Sequence, residues 1–382
     1  MDVAAEIGAL DDRTLAPVVE RLLGHRVSLV GWGMTPLNEG TLGLSSAVFR
    51  VHGTARDGDA IRAWSVVLKV LRPITPADLE RFPAATHGRL SEAYRWDREY
   101  LAYESGLFDG LPAGLRAARC LALERRGGLR WLWLEDLGDG GPAWDASRYA
   151  LAARHLGRFN GAFEGPSRPD APWLCRDWIR TWLTIGFGSR VDAVLDNDAV
   201  WEHELVRAAF AAGARARLRR AWASRELLLD RLDALPTIFC HLDAFRTNLF
   251  DGISASGERE TIAIDWSYVG LAPIGAEVGQ LVMGSVAFAD RRQDIRALAP
   301  LAVDGYIAGL RDSGWTGDER DVRMGFALSA ARWVFMLGFL NAALDPARQA
   351  AQERWSGQPY AQTVAQAGDR TTYLLDLIDS VR

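Results

Sequence analysis

Apolar positions follow two rhythms along this chain, and the change of rhythm divides it. Near the start, Leu15, Val18, Val19 and Leu22 recur at helical spacing in 11-DDRTLAPVVERLLG-24, and Gly24 marks a stop. Three extended runs follow: 26-RVSLVGWG-33, 46-SAVFRVHG-53 and 62-RAWSVVLKVLR-72. Between the last two, 54-TARDGDA-60 carries Asp57-Gly58, a hairpin signal. The stretch 90-LSEAYRWDREYLAYESGL-107 predicts one helix closed by Ser105-Gly106. Two more extended pieces come next, 117-AARCLALERR-126 and 130-RWLWLED-136. Residues 26–136 thus predict a small sheet of about five strands interrupted by one helix.

At 138-GDGGP-142 glycines and a proline break the pattern. The boundary placed there gives one lobe of residues 1–137 and a second of 138–382. The second lobe reads mostly as helix, beginning with 145-DASRYALAARHLGRFNGAF-163 and resuming from 276 to the end. Its one interruption is a pair of short apolar runs ending in polar residues, 236-PTIFCHLDAFRTNLFDG-252 and 261-TIAIDWSYVG-270. An α+β class follows. The apolar stretch 325-GFALSAARWVFMLGFLNAAL-344 contains Arg332 and predicts a buried helix rather than a membrane span.

Composition narrows the function. At 382 residues two lobes are the natural expectation, and 49% hydrophobic with 24% charged residues is a globular balance. A net charge of -5 leaves no electrostatic footprint for nucleic acid or an acidic membrane. Cys120, Cys175 and Cys240 form neither a disulfide framework nor a CxxC metal site. The acidic start MDVAAEIGALDD predicts no secretion signal, and a cytoplasmic setting is expected. One detail changes the picture: of 44 basic residues only Lys69 is a lysine. It stands among Val66, Val67, Leu68, Val70 and Leu71, where a charge needs a fixed partner. Arginine serves everywhere else, so this position calls for a compact ammonium rather than a planar fork.

The interruption in the helical half carries the remaining chemistry. It supplies His241-Leu242-Asp243, then Asn248, then Asp265-Trp266-Ser267. A hairpin turning at 251-DGISASGERE-260 brings Asp243, Asn248 and Asp265 to one end. Two carboxylates and an amide oxygen are hard ligands, suited to Mg²⁺ on nucleotide phosphates. A carboxylate left free of metal can orient a substrate hydroxyl and accept its proton.

The pattern H-x-D-x4-N, followed by an apolar strand and Asp265, resembles the catalytic and metal-binding loops of aminoglycoside phosphotransferases and choline kinases. These are small-molecule relatives of protein kinases. The resemblance implies a bilobal protein-kinase-like fold: a small N-lobe antiparallel sheet with one long helix, and a mostly helical C-lobe. It implies that Lys69 is the third-strand lysine that contacts ATP phosphates, and that Glu99 is its helix partner. The run 132-LWLEDL-137 resembles the hinge that receives adenine, which points to Glu135 and Leu137. The phosphate-covering loop falls at 39-EGTLGLSSAVF-49; it is not a GxGxxG, but amides near Gly43, Leu44, Ser45 and Ser46 suit phosphate. In 270-GLAPIGAEVGQLV-282, similar to the family's Gly-Pro-x-Gly-x-Asp-Leu stretch, Glu277 replaces the aspartate. Leu242 stands where many relatives have glycine, and Ser267 where protein kinases have the glycine after Asp-Phe.

The implied activity is transfer of the γ-phosphoryl group of ATP or GTP, with Mg²⁺, to a hydroxyl of a small molecule. An aminoglycoside-type antibiotic, a sugar or an amino-alcohol metabolite fits the acceptor. Asp243 would act on that hydroxyl, Asn248 and Asp265 would hold the metal, and an ammonium and three oxygen-bearing side chains would meet across one cleft. His241 and Glu277 read as structural, Arg246 as a phosphate contact or a surface arginine, and Trp178, Trp182 and Trp333 as candidate acceptor-pocket residues. The alternative is a catalytically inactive nucleotide-binding pseudokinase or scaffold. A protein kinase is disfavoured, because 266-WSYVGLAPIGAEV-278 leaves no room for an activation loop.

Overall fold

The computed structural model describes residues 3–37, 46–80 and 82–381. Contacts divide the chain into two units. The first comprises Met1–Leu111, Arg116–Gly141 and Ile262–Ser267; the second comprises Pro112–Leu115, Pro142–Thr261 and Tyr268–Arg382.

In the first unit, a short helix at Val3–Gly8 is followed by a longer one at Asp12–Leu23. Asp11 accepts from the Thr14 amide at its start, and left-handed Gly24 (φ 84°) ends it. The strands are β1 (Ser28–Pro36), β2 (Ser46–Asp57) and β3 (Ala60–Leu71), a short β4 (Leu115–Ala117), β5 (Cys120–Arg126) and β6 (Leu129–Glu135). Five of them form one antiparallel sheet in the order β1-β2-β3-β6-β5. The β2–β3 hairpin is tighter than its sequence signal. Asp57 pairs with Ala60, which leaves Gly58-Asp59 as a two-residue loop with positive φ only at Gly58, the II′ pattern.

The period of two along β3 gives the sheet two different faces. Val66, Leu68 and Val70 join Leu15, Val18, Val19, Trp131 and Trp133 in one core. Leu71, with partly buried Val67, packs on the other side with Tyr100, Leu132 and Leu134. Lys69 shares this second parity, so its side chain rises on the face that meets the Tyr100 helix.

That helix departs from expectation. Residues 90–107 form not one helix but the end of His87–Ala93 and then Arg98–Glu104. Arg98 holds the break. It is 1% exposed, and its guanidinium donates to Ala93 O at 2.9 Å and Glu92 O at 2.8 Å, carbonyls at the end of the first helix. It also donates to Ser267 O at 2.6 Å. Apolar periodicity cannot reveal an arginine that folds back to cap the preceding turn.

The second unit is built around helices Ala146–Ala162 and Ile295–Asp312. They approach through glycine: a Cβ on Gly309 would lie 1.9 Å from Arg154 O, and one on Gly157 2.1 Å from Tyr306 O. Asn160 ties this pair to the next strand, donating to Phe239 O at 2.7 Å and accepting from the Tyr306 hydroxyl at 2.6 Å. Strand β7 (Thr237–Cys240) leads into the loop of His241 and Asp243. β8 (Leu249–Ile253) and β9 (Arg259–Ala263) follow, joined by a turn in which Ser254 donates to Glu258 O at 2.8 Å. β10 (Gly270–Pro273) pairs antiparallel with β7 and leads into helix Ala276–Phe288.

Among the described residues one helical stretch, Glu319–Leu344, is long and apolar enough to cross a membrane, and most of it is buried within the protein. Its α-helix ends at Ala331 and tightens into 3₁₀ turns at Arg332–Phe335 and Gly338–Leu344.

Candidate active site

In the first unit three charged side chains converge. Lys69 is only 7% exposed, in register between Val48 of β2 and Leu132 of β6. Its Nζ contacts Glu99 Oε2 and lies 2.7 Å from Asp265 Oδ1. Burial opposes the ammonium, but Asp265 and Glu99 together outweigh it and move its titration upward, so Lys69 stays charged. Glu99 is buried, and burial raises its carboxyl above the usual range while Lys69 pulls against the shift. Glu99 Oε1 also accepts from the Trp266 amide at 3.2 Å. Side chain and backbone thus fasten the Asp265-Trp266-Ser267 segment to β3 and the Arg98–Glu104 helix.

Asp265 is set differently from its partners. Its backbone is left-handed (φ 58°), a region aspartate tolerates better than most residues, and its side chain is 38% exposed. One oxygen, Oδ1, meets Lys69 and also accepts from the Ser267 hydroxyl.

The hinge-like run ends β6. The Glu135 amide donates to Arg119 O at 2.9 Å, its carboxylate accepts from Arg116 and from the Arg119 amide, and Leu137 is half-buried. Between them lies Asp136, which the sequence had not singled out. It accepts from Arg50 Nε at 2.7 Å, from the Ser65 hydroxyl and from the Gly138 amide at 2.9 Å. Burial would raise this carboxyl, but those donors hold it below its ordinary range. The candidate phosphate residues Gly43, Leu44 and Ser45 lie outside the described residues, as does the Ser46 side chain; the Ser46 backbone opens β2 opposite Leu71.

In the second unit the loop after β7 holds Asp243. Asn248 Nδ2 donates to Asp243 Oδ2 and to Asp243 O, each at 3.0 Å, and Gln280 Nε2 donates to Asp243 Oδ1 at 3.1 Å. These are neutral donors, and they orient both carboxylate oxygens. Because Asn248 spends its NH₂ on Asp243, its Oδ1 is turned away as an acceptor.

The loop is braced from beneath. Glu277, with no exposed surface, accepts from the His241 amide at 2.6 Å and the Leu242 amide at 3.1 Å. Burial pushes its carboxyl up to about 7, although both amides favour the charged form. His241 is fully buried, and its Nδ1 accepts from the Asp243 amide at 3.1 Å. Between them Leu242 takes a left-handed φ of 68°, which costs a residue with a bulky side chain roughly 1–2 kcal/mol. The strain sits next to Asp243.

Arg246 is 6% exposed and donates to Leu249 O at 3.1 Å and Pro142 O at 2.8 Å, so it fastens the loop internally. Trp178 stacks on Tyr268 with centroids 4.0 Å apart. Trp182 and Trp333 lie 5.4 Å apart, and the buried Arg332 guanidinium faces both, at 5.1 Å and 5.6 Å. Arg332 in turn donates to Gln280 Oε1. Gln280 and Arg332 therefore support Asp243 in sequence, and neither was legible beforehand. The only signal was Gln280 three positions beyond Glu277, about one helical turn along.

Among the described residues no cluster of three or more His, Cys, Asp and Glu side chains could hold a metal ion. A Mg²⁺ that takes most of its ligands from phosphate and water needs no such cage, and a partly exposed carboxylate such as Asp265 is a hard donor of the kind it uses.

No family model matches the chain, and no curated protein matches it. Solved structures with a similar course include an ethanolamine kinase from Plasmodium vivax, at 12% identity over 90% of this chain and 82% of that one, TM-score 0.44. The GDP and kanamycin complex of APH(2″)-IIia aligns at 12% identity over 90% and 94%, TM-score 0.45. The GDP complex of wild-type aminoglycoside 2′-phosphotransferase-IIIa aligns at 11% identity over 95% and 100%, TM-score 0.43.

Proposed function

We propose that this protein is a small-molecule kinase of the aminoglycoside phosphotransferase and choline kinase type, moving the γ-phosphoryl group of ATP or GTP to a hydroxyl. The observation that carries the reading is the buried Lys69, the chain's one lysine, with Glu99 and Asp265 both on its Nζ. A structural ion pair would need one carboxylate. Two carboxylates around one ammonium leave a net negative group, with one of the pair partly exposed and available to a cation.

In this reading Lys69, held by Glu99, directs its ammonium to phosphate oxygens. Asn248 and Asp265 hold Mg²⁺, whose chemistry is to neutralise phosphate charge and align the transferred group. Asp243 orients the acceptor hydroxyl and accepts its proton, while Asn248 and Gln280 fix its two oxygens. Glu277 and His241 keep the loop in register. Catalysis then rests on positioning and charge neutralisation rather than covalent participation.

Thermal-shift titration tests the reading. Mg·ATP or Mg·GTP is expected to raise Tm saturably, and EDTA to remove the effect. Equal shifts with and without metal would exclude Asn248 and Asp265 from metal binding.

A further inference from the structure

In the second unit a cavity of about 440 Å³ lies between the segment following helix Ala276–Phe288 and the last helix, Tyr360–Ser380. Four arginines line it, Arg291, Arg292, Arg296 and Arg370, against two carboxylates, Asp294 and Asp369. Asp294 is already committed: it caps helix Ile295–Asp312, accepting from the Arg296 amide at 2.9 Å. Arg296 leans over Tyr373 and reaches Asp376 only at 3.9 Å.

Elsewhere in this chain arginines meet acids directly, as Arg50, Arg72, Arg180 and Arg217 do. Around this cavity, among the described residues, the one such contact is the long one from Arg296 to Asp376. Among the described residues Arg292 and Arg370 form no ion pair, and Asp369 acts on Arg370 only as a neighbouring charge that partly offsets the effect of burial. Arg291 spends its donors on neutral carbonyls, Ala287 O at 3.1 Å and Ser356 O at 2.6 Å. Burial moves both Arg291 and Arg370 below the ordinary guanidinium range, Arg370 to about 10, and the Arg291 charge adds to the shift of Arg370. Arg291 and Arg370, like charges held close together and partly desolvated, raise the free energy of the empty site. An anion between them removes that penalty.

We propose that this cavity is a second binding site, separate from Lys69 and Asp243, for a small phosphate-bearing molecule. Guanidinium forks match phosphate oxygens in pairs. The volume suits an organic phosphate better than a bare ion. The proposal stands whether or not the protein is a kinase.

The test uses the full chain without added metal, titrated with pyrophosphate by calorimetry and thermal shift. Chloride at matched ionic strength is the control. The wild type is expected to bind saturably, and the Arg292→Gln/Arg370→Gln variant about tenfold or more weakly. Without ligand that variant is expected to be at least as stable as the wild type, since it loses repulsion and no ion pair. Asp265→Asn, which alters the proposed metal site, is expected to leave pyrophosphate binding unchanged. Affinity unchanged in the double variant, lost in Asp265→Asn, or reproduced by chloride overturns the proposal. So does a double variant markedly less stable than the wild type, because its arginines would then be structural.

Discussion

Asp265 Oδ1 lies 2.7 Å from Lys69 Nζ, although 196 residues of chain separate the two. Within the first unit this contact joins strand β3 to the Ile262–Ser267 segment, and Glu99 closes the group from the Arg98–Glu104 helix. Replacement of Lys69 therefore has two consequences. Lys69→Met leaves two carboxylates without a cation and is expected to cost about 3 kcal/mol in urea unfolding. Lys69→Arg keeps the charge but presents a fork where the pocket holds a point donor. Its kcat/KM is expected to fall about 10²-fold with a smaller loss of stability. Arg equal to Lys in turnover would show that charge alone suffices.

Asp243 receives an amide NH₂ on each carboxylate oxygen, from Asn248 and from Gln280. An asparagine there must turn its own NH₂ toward one of these donors. Asp243→Asn is expected to lose roughly 1–2 kcal/mol of stability and to keep nucleotide binding, while kcat falls by about 10²–10⁴. Thermal shift with Mg·ATP beside steady-state kinetics separates the two effects.

Leu242 combines a left-handed backbone with a side chain only 2% exposed. Leu242→Ala loses the buried side chain and keeps the strain, whereas Leu242→Gly loses the same side chain and releases it. The glycine variant is expected to be about 1 kcal/mol more stable than the alanine variant by urea denaturation. The reverse order would place the strain elsewhere.

Glu277 gives a pH signature. Its folded carboxyl is pushed up to about 7 by burial, above its ordinary value of 4.5. Between those values the folded state holds more proton than the unfolded chain, so stability falls as pH rises through this window. The contribution is full below the lower value and lost above the upper one, roughly 3 kcal/mol in all. Glu277→Gln is expected to flatten that decline relative to the wild type, as measured by urea unfolding at pH 4.5, 6 and 7.5. Parallel curves would mean that Glu277 stays ionised throughout.

Much of this arrangement was legible in the sequence for physical reasons. A lone lysine in an apolar strand demands partners, and period-two parity places it on the face that carries the Glu99 helix. The spacing of Asp243 and Asn248 fits a loop in which one side chain can hold the other, as Asn248 does. Less was visible where long side chains act at a distance. Arg98 divides an apparently continuous helix because it caps Ala93 and reaches Ser267, 169 residues away. Gln280 and Arg332 line up behind Asp243 only after two helices pack, and an arginine-rich composition hides the one that is buried.

The decisive measurement is Mg²⁺-dependent ADP formation from ATP across small hydroxylated acceptors. The wild type is expected to release ADP with at least one acceptor, in proportion to phosphorylated product, and Asp243→Asn to lose that turnover while still binding Mg·ATP. Product formed equally by Asp243→Asn, or nucleotide binding that survives loss of both Lys69 and Asp265, would contradict the kinase reading.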